Sequence, residues 1–288
     1  SFTFGFGVND DQVWHEVLER KYGGDIDIFN LRAIGSSVVD ISYMYPLYKE
    51  RFQHDTVFLC IYLGNEFMDA GINARRFAKE TTSTKGAIAK GTSETSNRGI
   101  QGELFAQIKS HSYTARLAKY LFLSQWTKLG YYNLDTRREV YQPEDSPFVF
   151  TIDHDEIILV RTCEKEYSTK MQEGVAAFEQ SLVELVQLVR QDGKQIYVFI
   201  FPFKEQVYWD QWVHRLEKPK DYERFKPNTI VGEALESQGV EFYDLTEDLI
   251  EAGRDKVIYW PIDSHWNPVG NDVAAGLISK WLIRHDFP

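Results

Sequence analysis

The chain has 288 residues, 43% of them hydrophobic and 26% charged, with a formal net charge of −11 at pH 7 and a pI of about 5.2. That length admits one large α/β domain or two small ones, and the apolar fraction supplies ample core. The acidic balance argues against a general phosphate-backbone binder, which needs clustered Lys and Arg, so nucleic acid is not an expected partner.

No apolar run approaches the roughly 18 residues of a membrane span, and no signal peptide is legible. Aromatic residues reach 15%, which suits a carbohydrate-facing surface and equally well a large α/β core. Of the two cysteines, Cys60 lies in an apolar run and reads as a buried small hydrophobe, and Cys163 lies in a polar stretch. A disulfide between them stays open. Nothing in the sequence bears on oligomeric state.

Along the chain, Asn9 to Gln12 reads as a capping box ahead of helical spacing in Val13, Trp14, Val17 and Leu18, stopped at Gly23-Gly24. Ile26 to Leu31 predicts a short strand and Ser36 to Phe52 a helix. Thr56 to Leu63 is the near-continuous apolar run of a strand covered on both faces. Residues 79–99, rich in Thr, Ser, Lys and Gly, read as a loop, Gly102 to Leu129 as a helix, and Tyr131 to Asp155 as irregular. Together, residues 67–155 form a long excursion of the kind that is usually functional or disordered. Order resumes from Glu156 to Arg161. It continues as a helix over Met171 to Gln191, a buried strand over Gln195 to Phe201, a helix over Asn228 to Ser237 and a strand over Val240 to Leu245. Asn267 as N-cap with Pro268 at the first helical position opens a last helix to Arg284. Strands alternating with helices imply a mainly parallel sheet with helices on both faces, a three-layer α/β/α sandwich of the flavodoxin-like kind.

Ligands of such a sheet gather where its strands end. Gly35 follows the first predicted strand, Gly64-Asn65-Glu66 the second, and Asp263-Ser264-His265 comes after the last. The chain opens Ser1-Phe2-Thr3-Phe4-Gly5, directly ahead of a helix. These four segments, in this order, resemble the conserved blocks of the SGNH (GDSL-like) hydrolase superfamily. Asp263-Ser264-His265-Trp266-Asn267-Pro268 is similar to the final block of its extracytoplasmic, polysaccharide-associated O-acetylesterase and acetyltransferase-like branch. The resemblance spans the chain, apart from an insertion at about 67–155, and implies a single domain over 1–288. Two departures stand out: one residue, not two, separates Asp263 from His265, and the Gly-Asp and strand expected ahead of Ser1 are missing. The chain therefore reads as beginning in mid-fold.

Carried over to this sequence, the resemblance implies a triad of Ser1, Asp263 and His265. It also implies an oxyanion hole built from the backbone N–H groups of Ser1 and Gly35 and the side-chain amide of Asn65. Its implied substrate is an ester, foremost an acetyl ester of a carbohydrate, in an extracytoplasmic compartment. The residue types fit that chemistry. A serine hydroxyl needs an imidazole to take its proton, a carboxylate to orient the imidazole, and donors to meet the oxyanion. Residues two apart in an extended segment point to one side, so Asp263 can accept from His265. Two readings compete: an amidase using the α-amine of Ser1 as base, and a non-catalytic module binding polysaccharide in the same cleft. Asp153-His154-Asp155-Glu156 reads as a solvated turn and Glu66 as structural, while His15, His54, His111, His214 and His285 lack supporting context. No cofactor or metal is expected, since no HExxH, paired CxxC, GxSxG or Walker-type loop occurs.

Overall fold

The computed structural model describes residues 2–3, 5–23, 25–31, 35–89, 138–144, 146–148, 150–153 and 159–287. Two compact units divide the chain, Arg76–Arg138 and the rest. The predicted helix over Gly102 to Leu129 lies outside the described residues.

The core of the larger unit is a parallel sheet in the order β1-β4-β5, with β1 Thr56–Tyr62, β4 Gln195–Phe201 and β5 Glu241–Asp244. Its register runs from Thr56 against Gln195 to Tyr62 against Phe201, and from Tyr197 against Glu241 to Ile200 against Asp244. All three strands thus end at one level. There the ladder runs on through Leu63 N–H to Phe201 O (3.0 Å) and Leu245 N–H to Ile200 O (3.2 Å).

Strand β4 is buried along its length apart from Gln195, as an unbroken apolar run requires. Alternate residues face opposite layers. Tyr197 and Phe199 meet the Trp281 ring of α8 (Pro268–Arg284), and Phe199 and Phe201 meet Trp14 of α1 (Trp14–Lys21), which packs against α8. On the other side α2 (Val38–Tyr48) packs on α4 (Thr169–Gln191). Helix α3 (Glu66–Ala89) approaches α4 at Gly174, where a Cβ would stand 2.0 Å from Phe67 O. Among the described residues there are three further helices: α5 Lys204–Val207, α6 Lys226–Ser237 and α7 Thr246–Asp255. The expected three-layer α/β arrangement is the one observed.

Four local expectations need correction. Ile26 to Leu31 joins no ladder; Glu19 takes the Ile28 N–H at 3.2 Å, and Phe29 and Leu31 stand exposed. Residues 79–89 continue α3 instead of opening a loop, because an anchored first turn lets each further residue add one hydrogen bond. The 131–155 stretch contains a two-stranded sheet of β2 (Arg138–Tyr141) and β3 (Phe150–Asp153). Its aromatic run buries Phe148 against Tyr208, with ring centres 4.0 Å apart. Finally, the Asn9–Gln12 capping box closes a short 3-10 turn just ahead of α1, with Gln12 accepting from Asn9 N–H at 3.1 Å.

Candidate active site

The loop that carries Asp263 and His265 is held at its neck. An isolated antiparallel bridge pairs Tyr259 with Trp266, and Trp260 N–H donates to His265 O at 3.0 Å. The Tyr259 hydroxyl donates to Pro202 O at 2.8 Å, at the end of β4. Asn267 serves twice: its Oδ1 accepts Gly270 N–H (3.0 Å) to cap α8, and its amide donates back to Val257 O (2.6 Å). Gly270 is compulsory there, since a Cβ would lie 2.0 Å from Ile258 O. The Asn-Pro-x-Gly segment read as a helix start is therefore also the clamp that sets the loop.

At the tip, His265 Nδ1 lies 2.5 Å from Asp263 Oδ1, and the same oxygen accepts the His265 backbone N–H at 2.8 Å. This is the pairing the one-residue spacing allows. Burial raises the proton affinity of Asp263. The two hydrogen bonds and charge of His265, with the nearby ammonium of Lys204, outweigh it and hold the carboxyl below its ordinary value. With Nδ1–H directed at Asp263, the lone pair is on Nε2, and the side chain is 23% exposed.

The opening segment reaches this imidazole. Phe2 is buried, and its ring contacts those of Tyr62 (4.6 Å), Phe201 (6.2 Å), Trp266 (4.8 Å) and His265 (5.2 Å). Phe6 covers the imidazole, with ring centres 4.8 Å apart, and Phe2, Gly5, Phe6, His265, Trp266 and Asn271 cluster around it. The turn needs Gly5, whose φ is +75° and whose Cβ would collide with Val13. Thr3 O accepts from the Asn30 amide and lies 3.1 Å from Nε2 of the buried His15. His15, which sequence context left without a role, thus supports the opening turn. Ser1, the residue bonded to Phe2, lies outside the described residues.

Of the other proposed donors, Asn65 follows the end of β1 and Gly35 precedes α2. Asn65 precedes α3; its O accepts Asp69 N–H (2.9 Å) and its Nδ2 donates to Asp69 Oδ2 (2.7 Å). One amide hydrogen remains for another acceptor. Glu66 Oε1 accepts the Val38 N–H at 2.7 Å, which ties the start of α2 to the start of α3. Gly35, exposed and at φ +72°, lies three residues before that tie. Asp40 completes the tie, accepting from Ser37 N–H (2.9 Å) and Asn73 Nδ2 (2.5 Å). Burial, with Asp69 and Asp40 nearby, raises Glu66 to about 8, and burial with Asp40 raises Asp69 to about 6.

The sequence reading passed over Lys204 and Glu205, although both follow a strand end, that of β4. Lys204 is only 1% exposed, and its Nζ donates to Pro261 O at 3.2 Å. The strand-end rule that found Asn65 would have found it. Cys60 and Cys163 are both free thiols, so the disulfide left open above is not formed. His154, Asp155 and Glu156 lie outside the described residues.

Residues 160–286 match the family described as SGNH hydrolase-like domain, acetyltransferase AlgX. The matched span takes in β4, β5, Lys204, Asp263 and His265 and does not include Ser1, Gly35 or Asn65. No match is found among curated proteins or among solved structures.

Proposed function

We propose, from the match of residues 160–286 to an SGNH hydrolase-like domain, that the protein is a serine-dependent ester hydrolase or acyl transferase acting on an acylated carbohydrate. The observation that carries this reading is the contact between Phe2 and His265: the residue covalently next to Ser1 lies against an imidazole whose Nδ1 is already engaged by Asp263.

In the proposed mechanism, His265 Nε2 takes the proton of Ser1 Oγ as Oγ bonds to the ester carbonyl carbon. The oxyanion so formed is met by the N–H groups of Ser1 and Gly35 and by the free amide hydrogen of Asn65. The intermediate collapses by breaking the bond to the alcohol oxygen, which leaves with the proton from His265. Water or a sugar hydroxyl then gives its proton to Nε2 and attacks the acyl-serine carbonyl; the second intermediate collapses by breaking the bond to Ser1 Oγ, which takes that proton back from His265. Asp263 stays ionised throughout and stabilises the transient imidazolium.

The acetyl group is proposed from the acetyltransferase named in the matched family's description, and the carbohydrate and an extracytoplasmic location from the resemblance of Asp263 to Pro268 to the polysaccharide-associated branch. None of the described helices is long and apolar enough to cross a membrane. The test is labelling by a serine-directed phosphonate, with mass mapping, beside p-nitrophenyl acetate turnover. Label on Ser1, lost together with turnover in Ser1→Ala, is the expected result. Turnover unchanged in Ser1→Ala overturns the assignment. No label and no turnover, with retained polysaccharide binding, would favour a binding module.

A further inference from the structure

We infer that Lys204 is a positioning residue for the Asp263–His265 pair, docking through Pro261 the limb of the loop that carries Asp263 and bringing its ammonium near that carboxylate. The inference rests on the catalytic reading of that pair given above.

A lysine is almost never fully buried without a partner that repays its lost hydration. Here the side chain starts two residues past Pro202, at the carboxyl end of the central strand, and is 1% exposed. Its ammonium reaches across to the loop and donates to Pro261 O at 3.2 Å, two residues before Asp263. The neck of the loop is fixed by Tyr259, Trp260, His265 and Asn267, as described; Lys204 holds the limb of the loop that leads to Asp263. Its Nζ also lies 5.7 Å from the centre of the ring of Phe150, itself buried.

The charged and titratable groups facing this point come from several elements. Tyr62 stands at the end of β1 and feels Glu205, Tyr259 and Asp263; Glu205 follows Lys204 on α5; Asp263 and His265 lie on the loop. Burial pulls the Lys204 ammonium below its ordinary value, opposed by Glu205 and Asp263. Burial pushes Glu205 the other way, toward its neutral form. Of the two carboxyls that oppose burial at Lys204, Glu205 is shifted above its ordinary value and Asp263 below it.

The experiment compares Lys204→Met, which keeps the stem and removes the charge, with Lys204→Arg, which keeps the charge. The 13C resonance of the Asp263 carboxyl is followed against pH in each folded protein, alongside the pH–rate profile for p-nitrophenyl acetate. In Lys204→Met the Asp263 titration and the acid limb of kcat/KM should both move to higher pH by roughly half a unit or more. The arginine variant should restore most of that shift. A folded Lys204→Met protein whose Asp263 titrates as in the wild type overturns the inference. Should both Lys204 variants fail to fold, the reciprocal arm remains. Asp263→Asn must lower the pH at which the Lys204 side chain, read at its 13Cε, loses its proton, and no change there overturns the inference equally. Because the titrations need no turnover, a wild type without esterase activity would sink the catalytic reading by itself, separately from this one.

Discussion

Two carboxyl-bearing corners flank the ends of the same three strands, and they hold their protons in opposite ways. At the corner after β1, Glu66 is buried with a single backbone N–H as donor and with Asp40 and Asp69 as neighbours; the like charges add to burial, and the acid stays protonated up to about 8. At the loop after α7, Asp263 is partly buried, yet it accepts two hydrogen bonds from His265, one from the imidazole and one from the backbone N–H, has the Lys204 ammonium nearby, and is held below its ordinary value. Burial pushes both the same way. What differs is the sign of the nearest charge. A neutral acid is a good fixed strut between two helix starts, whereas an ionised one can orient and stabilise a base.

The largest break in this comparison should come at the ionised corner. His265→Ala removes the base and should lower turnover of a short acyl ester by about 10⁴-fold. Asp263→Asn keeps shape but lets the imidazole take the wrong tautomer, a change that costs about 10⁴-fold in the serine-protease template. Here the loss should be smaller, since the neck of the loop and the Phe2 and Phe6 rings still hold the imidazole in place. Steady-state kinetics on both, with circular dichroism to confirm folding, checks the ranking; an Asp263→Asn loss exceeding that of His265→Ala would contradict it.

Next in size is Asn65, which belongs by position to the neutral corner and by proposal to the chemistry. Asn65→Ala should reduce kcat by about 10²-fold with little change in KM, as expected for a donor that meets charge only in the transition state. A rise in KM alone would instead make Asn65 a ground-state contact.

The smallest effect sharpens the comparison by changing stability and not rate. Because Glu66 binds its proton more tightly folded than unfolded, its stabilising contribution is full below its unfolded value of about 4.5 and fades as pH rises through about 8. Glu66→Gln keeps an oxygen for Val38 N–H and cannot ionise. Its thermal midpoint should therefore fall less between pH 6 and 9 than that of the wild type. Parallel midpoint curves would mean that Glu66 does not carry the dependence.

Much of this molecule is legible in its residues. Strand β4 and helix α8 appear at the expected bounds, and Asn267 and Pro268 start α8 as their chemistry dictates. These are local signals: an unbroken apolar run, and a cap within three residues of the N–H it accepts. Asp263 and His265 are legible for the same reason, being two residues apart on one loop.

What only the tertiary structure decides is everything that depends on a distant partner. Ile26 to Leu31 has a strand's composition but no ladder, because pairing is a property of the neighbour as much as of the segment. Helix α7 was not read at all; its start is set by Asp244 Oδ1 accepting Thr246 N–H at 2.9 Å, at the end of a strand whose place is fixed by β4. The Asn9–Gln12 box is correct as a motif, yet it closes only a 3-10 turn; the first N–H of α1, that of Trp14, is satisfied instead by Asn271 Oδ1 at 3.0 Å. Lys204 and Glu66 show the same division at the level of charge. The sequence specifies which groups can ionise, but burial and the nearest opposite charge, both set by residues far away in the chain, decide which of them do.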